Sequence, residues 1–295
     1  MSAGAIIRPH LKSIKRGMLL VPGLVLFTLI VLAPLFALFL RSITEANPAA
    51  GMAAAWTPDN YTRFFSDPFF LSVLARTYRV AAIVVAICLV IGWPVAYQLS
   101  KTQGRARLYL SLIVMVPLLI SVVVRTFGWV VILGPQGLVN SSLQWLGLID
   151  APLRLLFSET AVVIGAVHTF LPLMVLPIAS ALDNVDPSLV RAGRNLGATG
   201  RQIFVRVLFP LSMPGVLAGS LIIFALCSSA YVTPALLGGA RLRFMSTLIY
   251  EYNIVVLDWS FGSALSVILV ALTIAIVALY SRFIERIAFR GVFQR

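Results

Sequence analysis

Negative charge is scarce in this chain. Its 295 residues include only ten Asp and Glu, and charged residues of both signs make up 11%. A domain dissolved in water carries about 25% charged residues. Cysteine and histidine are nearly absent, with two of each. Cys88 and Cys227 both fall in apolar runs and read as small buried apolar residues without metal-ligand spacing. There is no G-x-x-x-x-G-K-[ST] loop to cradle a phosphate, no G-x-S-x-G elbow, and no His/Cys cluster for a metal. With so few carboxylates, an acid/base dyad is not to be expected either. These absences exclude a soluble enzyme and describe a chain without catalytic machinery of its own.

Apolar sequence is plentiful. Hydrophobic residues make up 60% of the chain, enough for an all-α integral membrane protein. Six transmembrane helices are predicted, over about 17–40, 79–99, 108–133, 160–182, 211–234 and 260–281. The first run follows Arg8, Lys12, Lys15 and Arg16. It is longer than the apolar core of a cleaved signal, about 7–15 residues, and reads as a retained span. The implied segments are a tail 1–16, a first helix 17–40, an outer stretch 41–78, a core domain 79–285 with a loop at 183–209, and a tail 286–295. The amphipathic stretch Pro68–Tyr78 leads into the second span. Leu138–Leu148, too short to cross, reads as a surface or re-entrant helix.

The net charge of +13 does not point to nucleic acid, because the bases flank spans instead of sharing one solvated face. Fifteen of the 23 Lys and Arg fall on the side holding both termini, Lys101–Arg107 and the 183–209 loop. The positive-inside rule makes that side cytoplasmic, with both termini cytoplasmic. Prolines 34, 94, 117, 172, 177, 214 and 234 lie in or beside spans. They predict bent helices of the sort that surround a gated cavity. Two ionisable side chains fall inside spans. His168 reads as a hydrogen-bonded structural residue, and Arg125 is expected to pair with a carboxylate or to reach the outer headgroups.

The island at 183–209 carries helix signals at both ends. Asp186 is a candidate N-cap, Pro187 suits the first helical position, and Gly197 suits a left-handed stop. Between them runs Arg191-Ala192-Gly193-Arg194-Asn195-Leu196-Gly197-Ala198, and Val207-Leu208-Phe209-Pro210 follows. This spacing resembles the EAA loop of ABC importer permeases: Glu-Ala-Ala, three residues, Gly, nine residues, Ile, one residue, Leu-Pro. Arg191 stands where the pattern has Glu, Gly193 where it has Ala, and Phe209-Pro210 where it has Leu-Pro.

The resemblance implies a type I ABC importer permease fold in a bacterial inner membrane, with Asp186, Arg191, Ala192, Gly193, Gly197, Ala198 and Pro210 in an ATPase-coupling element. It also implies the partners: two ATPase subunits that carry the ATP and Mg, a second permease subunit, a periplasmic substrate-binding protein, and membrane lipid around the spans. No cofactor and no nucleic acid is expected in this chain.

Two further stretches look like the spermidine/putrescine branch of that family. They are Arg125-Thr126-Phe127-Gly128-Trp129 with Leu133-Gly134-Pro135-Gln136-Gly137-Leu138-Val139-Asn140, and Tyr231-Val232-Thr233-Pro234-Ala235-Leu236-Leu237-Gly238-Gly239. A polyamine needs carboxylates and aromatic faces. Trp129, Tyr231, Tyr250, Glu251, Asp258 and Trp259 are therefore the candidate substrate-path residues; the same aromatics also suit an interfacial belt. The same machine could serve an amino-acid-like compound, thiamine or a phosphonate. A secondary transporter without an ATPase would leave the capped loop helix unexplained.

Overall fold

The structure is a computed structural model that describes residues 9–45 and 55–288. Arg8, Arg290, Arg295, the Asn47-Pro48 segment and the last seven residues of the predicted tail lie outside the described residues. Among the described residues the fold is helical, and the one β-type contact is an isolated bridge between Thr44 and Trp56. Six segments are long and apolar enough to cross a membrane.

The first helix, α1 (Pro9–Ser42), starts eight residues before the predicted span. A short α2 (Asp59–Ser66) precedes α3 (Pro68–Lys101), which takes the amphipathic 68–78 stretch into the second crossing as one helix. Local chemistry explains the early start. Asp67 accepts the Phe69 N–H at 2.8 Å, and Pro68 takes the first position, where no N–H is needed.

The predicted third span is broken. Helix α4 (Gly104–Leu119) stops, Ile120 and Ser121 are extended, and α5 (Val122–Leu133) resumes. Pro117 weakens the ladder just ahead of the break. Arg125 donates to the Pro117 carbonyl, supplying positive charge at the negative end of α4. Arg125 thus bonds to the backbone, where a carboxylate or headgroup contact was expected. The short α6 (Leu138–Trp145) follows with only Asn140 buried, and the apolar segment that counts as the third crossing, Val122–Trp145, includes it.

Helix α7 (Glu159–Asp183) is the centre of the bundle, packed along α3 and α10 (Phe209–Ser229). Met174, Val175 and Ile178 on α7 are fully buried. Small residues let the helices approach. A Cβ on Gly215 would overlap the Pro177 backbone, and one on Gly219 would crowd Met174. Trp93 on α3 donates to Ser212 on α10 at 3.0 Å. The fifth span ends at Ser229, earlier than predicted, because Ala230 turns extended. A wide helical turn at Pro234–Gly238 and the short α11 (Met245–Tyr250) then lead to α12 (Trp259–Ala288), which packs against α1. A second apolar cluster, around Phe64, Phe70, Met245 and Phe261, ties together α2, α3, α11 and α12.

Large apolar side chains stay exposed along α1, α4 and α5, among them Phe27, Ile30, Leu119, Val124 and Val131. A water-soluble monomer does not leave such a surface open. In a bilayer it meets acyl chains or neighbouring helices.

Candidate functional site

Two polar regions sit at opposite ends of the bundle. The first is built on α8 (Pro187–Asn195), which the 183–209 island forms with α9 (Gly200–Ile203) and a wide turn at Phe204–Leu208. Asp186 accepts the Ser188 N–H at 2.7 Å. That backbone bond, then the Ser188 side chain, and then the Arg191 charge hold the Asp186 carboxyl below the ordinary aspartate range.

The other end of α8 closes as a Schellman turn. Gly197 has φ +78°, its N–H donates to Arg194 O at 2.9 Å, and the Ala198 N–H donates to Gly193 O at 3.0 Å. Thr199 and Gln202 then cap α9 reciprocally, at 3.3 and 2.8 Å.

This hairpin rests on the bundle through a few residues. Val185, Val190 and Ala198 pack against the main core, and Gly193 faces buried Ile203. No residue of α8 itself is buried. Leu189 and Leu196 stand out in solvent, Leu196 at 87% exposure. Arg191, Ala192 and Arg194 are exposed beside them, while Pro210 is carried at the start of α10. The loop therefore offers an apolar and basic face that none of the described residues covers.

Behind α8 lies a cavity of about 620 Å³ bordered by Lys101, Arg107, Asp183, Arg191 and Arg194. Arg107 pairs with Asp183, and Lys101 sits over the Tyr97 ring at 4.1 Å. The 101–107 turn and the 183–209 loop are thus at the same end of the bundle.

The second region is the opposite end. It divides the six candidate path residues into three groups. Tyr231, Tyr250 and Glu251 come together around a cavity of about 370 Å³, with the two rings stacked 4.7 Å apart at 29°. Arg243 also lines this cavity and pairs with Glu251. Asp258 and Trp259 lie elsewhere. Asp258 bonds Arg63 at 3.2 Å and caps the Phe261 N–H at 3.1 Å. Trp259 donates to Asn253 O at 2.9 Å, with Arg41 over its ring. Trp129 forms the third group, donating at 3.1 Å to His168 across α5 and α7. His168 is hydrogen-bonded, as expected.

The match that decides the family covers residues 88–290. Over that length the chain fits the model described as the binding-protein-dependent transport system inner membrane component. This chain belongs to that family.

As a member it is a permease component: a multi-pass inner-membrane protein of a transport system, and its own chain is not an enzyme. It is similar to the spermidine/putrescine transport system permease protein PotB of Escherichia coli strain K12, 36% identical over 228 residues, covering 77% of this chain and 82% of PotB. PotB of Haemophilus influenzae is also 36% identical, over 226 residues, covering 77% and 79%. The fold matches a permease in the crystal structure of a bacterial ABC transporter involved in import of the acidic polysaccharide alginate. That match has a TM-score of 0.77 and 19% identity, covering 94% of this chain and 98% of that one.

Sequence reasoning missed the arginine partners of the permease's acids. Arg243 takes Glu251, Arg63 takes Asp258, and Glu159 is held by Arg76 at 3.2 Å and Arg79 at 2.7 Å. Arg63 and Asp258 are 195 positions apart, beyond any spacing rule. The available signal was compositional, an excess of 23 bases over ten acids; four of the acids, Glu159, Asp183, Glu251 and Asp258, are paired with arginine among the described residues.

Proposed function

We propose that this chain is a permease subunit of an ATP-driven polyamine importer, and that α8 couples it to the ATPase. The similarity to PotB over most of both chains carries the substrate reading. The cluster of Tyr231, Tyr250 and Glu251 supports it, because ring faces and a carboxylate are what an alkylammonium needs. In this reading a second permease completes the pathway, two ATPase subunits bind ATP and Mg, and a periplasmic binding protein delivers the substrate. Both termini and the 183–209 loop are cytoplasmic, and the Tyr231 mouth is periplasmic. Asp186, Arg191, Ala192, Gly193, Gly197, Ala198 and Pro210 form or support the coupling element. Closure of the ATPases moves α8, and the bundle alternates between openings.

The polarity of the coupling face is distinctive. Its two acids are spent, Asp183 on Arg107 and Asp186 on Ser188. Arg191, Arg194, Arg201 and Arg206 have no ion-pair partner among the described residues. The ATPase groove that receives this face is therefore acidic.

Reconstitution tests the reading. The chain, co-expressed with the permease, ATPase and binding protein encoded beside it, should drive ATP-dependent uptake of labelled spermidine or putrescine into proteoliposomes. Uptake of another solute with no polyamine uptake refutes the substrate. Transport without any ATPase subunit refutes the coupling.

A further inference from the structure

The three best-placed acids at the Tyr231 end are all held by arginine, but not in the same way. Glu159 is clamped by two guanidiniums, from Arg76 and Arg79. Asp258 holds Arg63 and also caps the Phe261 N–H, while Arg63 lies 4.0 Å over the Phe261 ring. Those two sites are structural joints with several contacts each. Among the described residues Glu251 has one ion-pair partner, Arg243, and both side chains remain about a third exposed at the rim of an open cavity. Two tyrosine rings line the same cavity. A carboxylate beside aromatic faces is a recognition set for an organic ammonium. Here the cation already in place belongs to the protein.

The backbone around Arg243 is fixed independently of its side chain. Arg76 donates to the Arg243 carbonyl at 3.2 Å, and the Phe244 N–H is held by Thr247 Oγ1 at 2.9 Å. Releasing Glu251 therefore needs only a rotation of the Arg243 side chain.

We propose that Arg243 is a resident substitute for the substrate's ammonium: it occupies Glu251 while the mouth is empty and is displaced when one cationic end of the substrate arrives. The inference rests on the polyamine reading above. It makes Arg243 a specificity-determining residue. A cation must out-compete a tethered guanidinium for Glu251, which a compound with a second charge and a chain long enough to reach the tyrosines does better than a small monocation. No covalent step is involved, and the displaced guanidinium turns to water.

The test uses the complete transporter, purified without the binding protein, and direct binding of labelled spermidine. Arg243→Gln removes the competitor and should tighten binding about two- to five-fold, the scale of a half-exposed ion pair. Arg243→Lys restores a cation and should return binding toward the parent value. Glu251→Gln should abolish the gain in the double variant. Methylguanidinium should inhibit binding in Arg243→Gln more strongly than in the parent.

A readout independent of folding variants comes from the unaltered complex. Saturating spermidine should raise phenylglyoxal labelling of Arg243, mapped by mass spectrometry. Unchanged or weaker binding in Arg243→Gln, or lower labelling with spermidine, overturns the proposal. If the parent complex transports polyamines but Arg243 behaves this way, only the displacement idea falls. If the parent transports no polyamine, the substrate reading falls and the proposal with it.

Discussion

Gly197 gives the sharpest test of the coupling loop, because its surroundings separate two effects that usually mix. Its φ is +78°, yet an added Cβ would meet no atom within 4 Å. A Cβ there clashes with nothing, so the penalty for Ala is backbone strain. For an ordinary L residue the left-handed conformation costs about 1–2 kcal/mol. That lowers the population of correctly turned loops by a factor of about 5–30. Asn tolerates the conformation best after Gly, and a β-branched residue tolerates it worst.

The predicted order of damage is therefore Asn least, Ala intermediate and Val greatest. Co-purification of the ATPase subunit and ATP-driven uptake should both follow it. Hydrogen exchange at Gly197 and Ala198 should rise in parallel, since their amides close the turn onto Arg194 and Gly193. Insertion into the membrane should be unaffected, because the turn lies outside the spans. Parent-like coupling in Gly197→Val would show that the turn is dispensable. Equal damage from Asn and Val would show that side-chain volume matters, and the backbone argument would fail.

Gly193→Ala should be neutral or slightly stabilising, by up to about 1 kcal/mol from helix propensity, since the new Cβ meets Ile203 at an ordinary 3.5 Å; a thermal melt of the purified complex checks this. Gly215→Ala should cost about 1–3 kcal/mol by forcing α10 off the Pro177 backbone, seen as a lower melting temperature and yield in detergent. Arg191→Glu should weaken ATPase association at low salt, and unchanged affinity would place Arg191 outside the contact. The Asp186 carboxyl is depressed in the folded state, so its capping contribution is fully present above the ordinary aspartate value and is lost as pH falls through the lowered one. Protection at Ser188, its exchange rate referred to the intrinsic rate at each pH, should therefore hold at neutral pH and fall only in acid, and Asp186→Ala should lower it at neutral pH and make no difference in acid.

Sequence by itself determined the number and approximate position of the spans and the capped helix of the 183–209 loop. Both are local properties. An apolar run must reach about 20 residues to cross a bilayer, and a cap is set by a few adjacent residues. Asp186, Pro187 and Gly197 could be read in place because each acts on the backbone within two or three positions of itself.

Only the tertiary structure decided the break at Ile120–Ser121 and the fate of the charges. Hydropathy is continuous across the break, so an apolar window does not register it, and the Arg125 contact with Pro117 depends on how α5 resumes after α4. Tyr231, Tyr250 and Glu251 share a cavity because the chain folds back between α10 and α11, while Asp258 and Trp259, only a few residues further on, are turned toward Arg63 and Arg41. An ion pair needs two side chains within about 4 Å, and residues far apart in sequence meet at that distance only through the packing of whole helices.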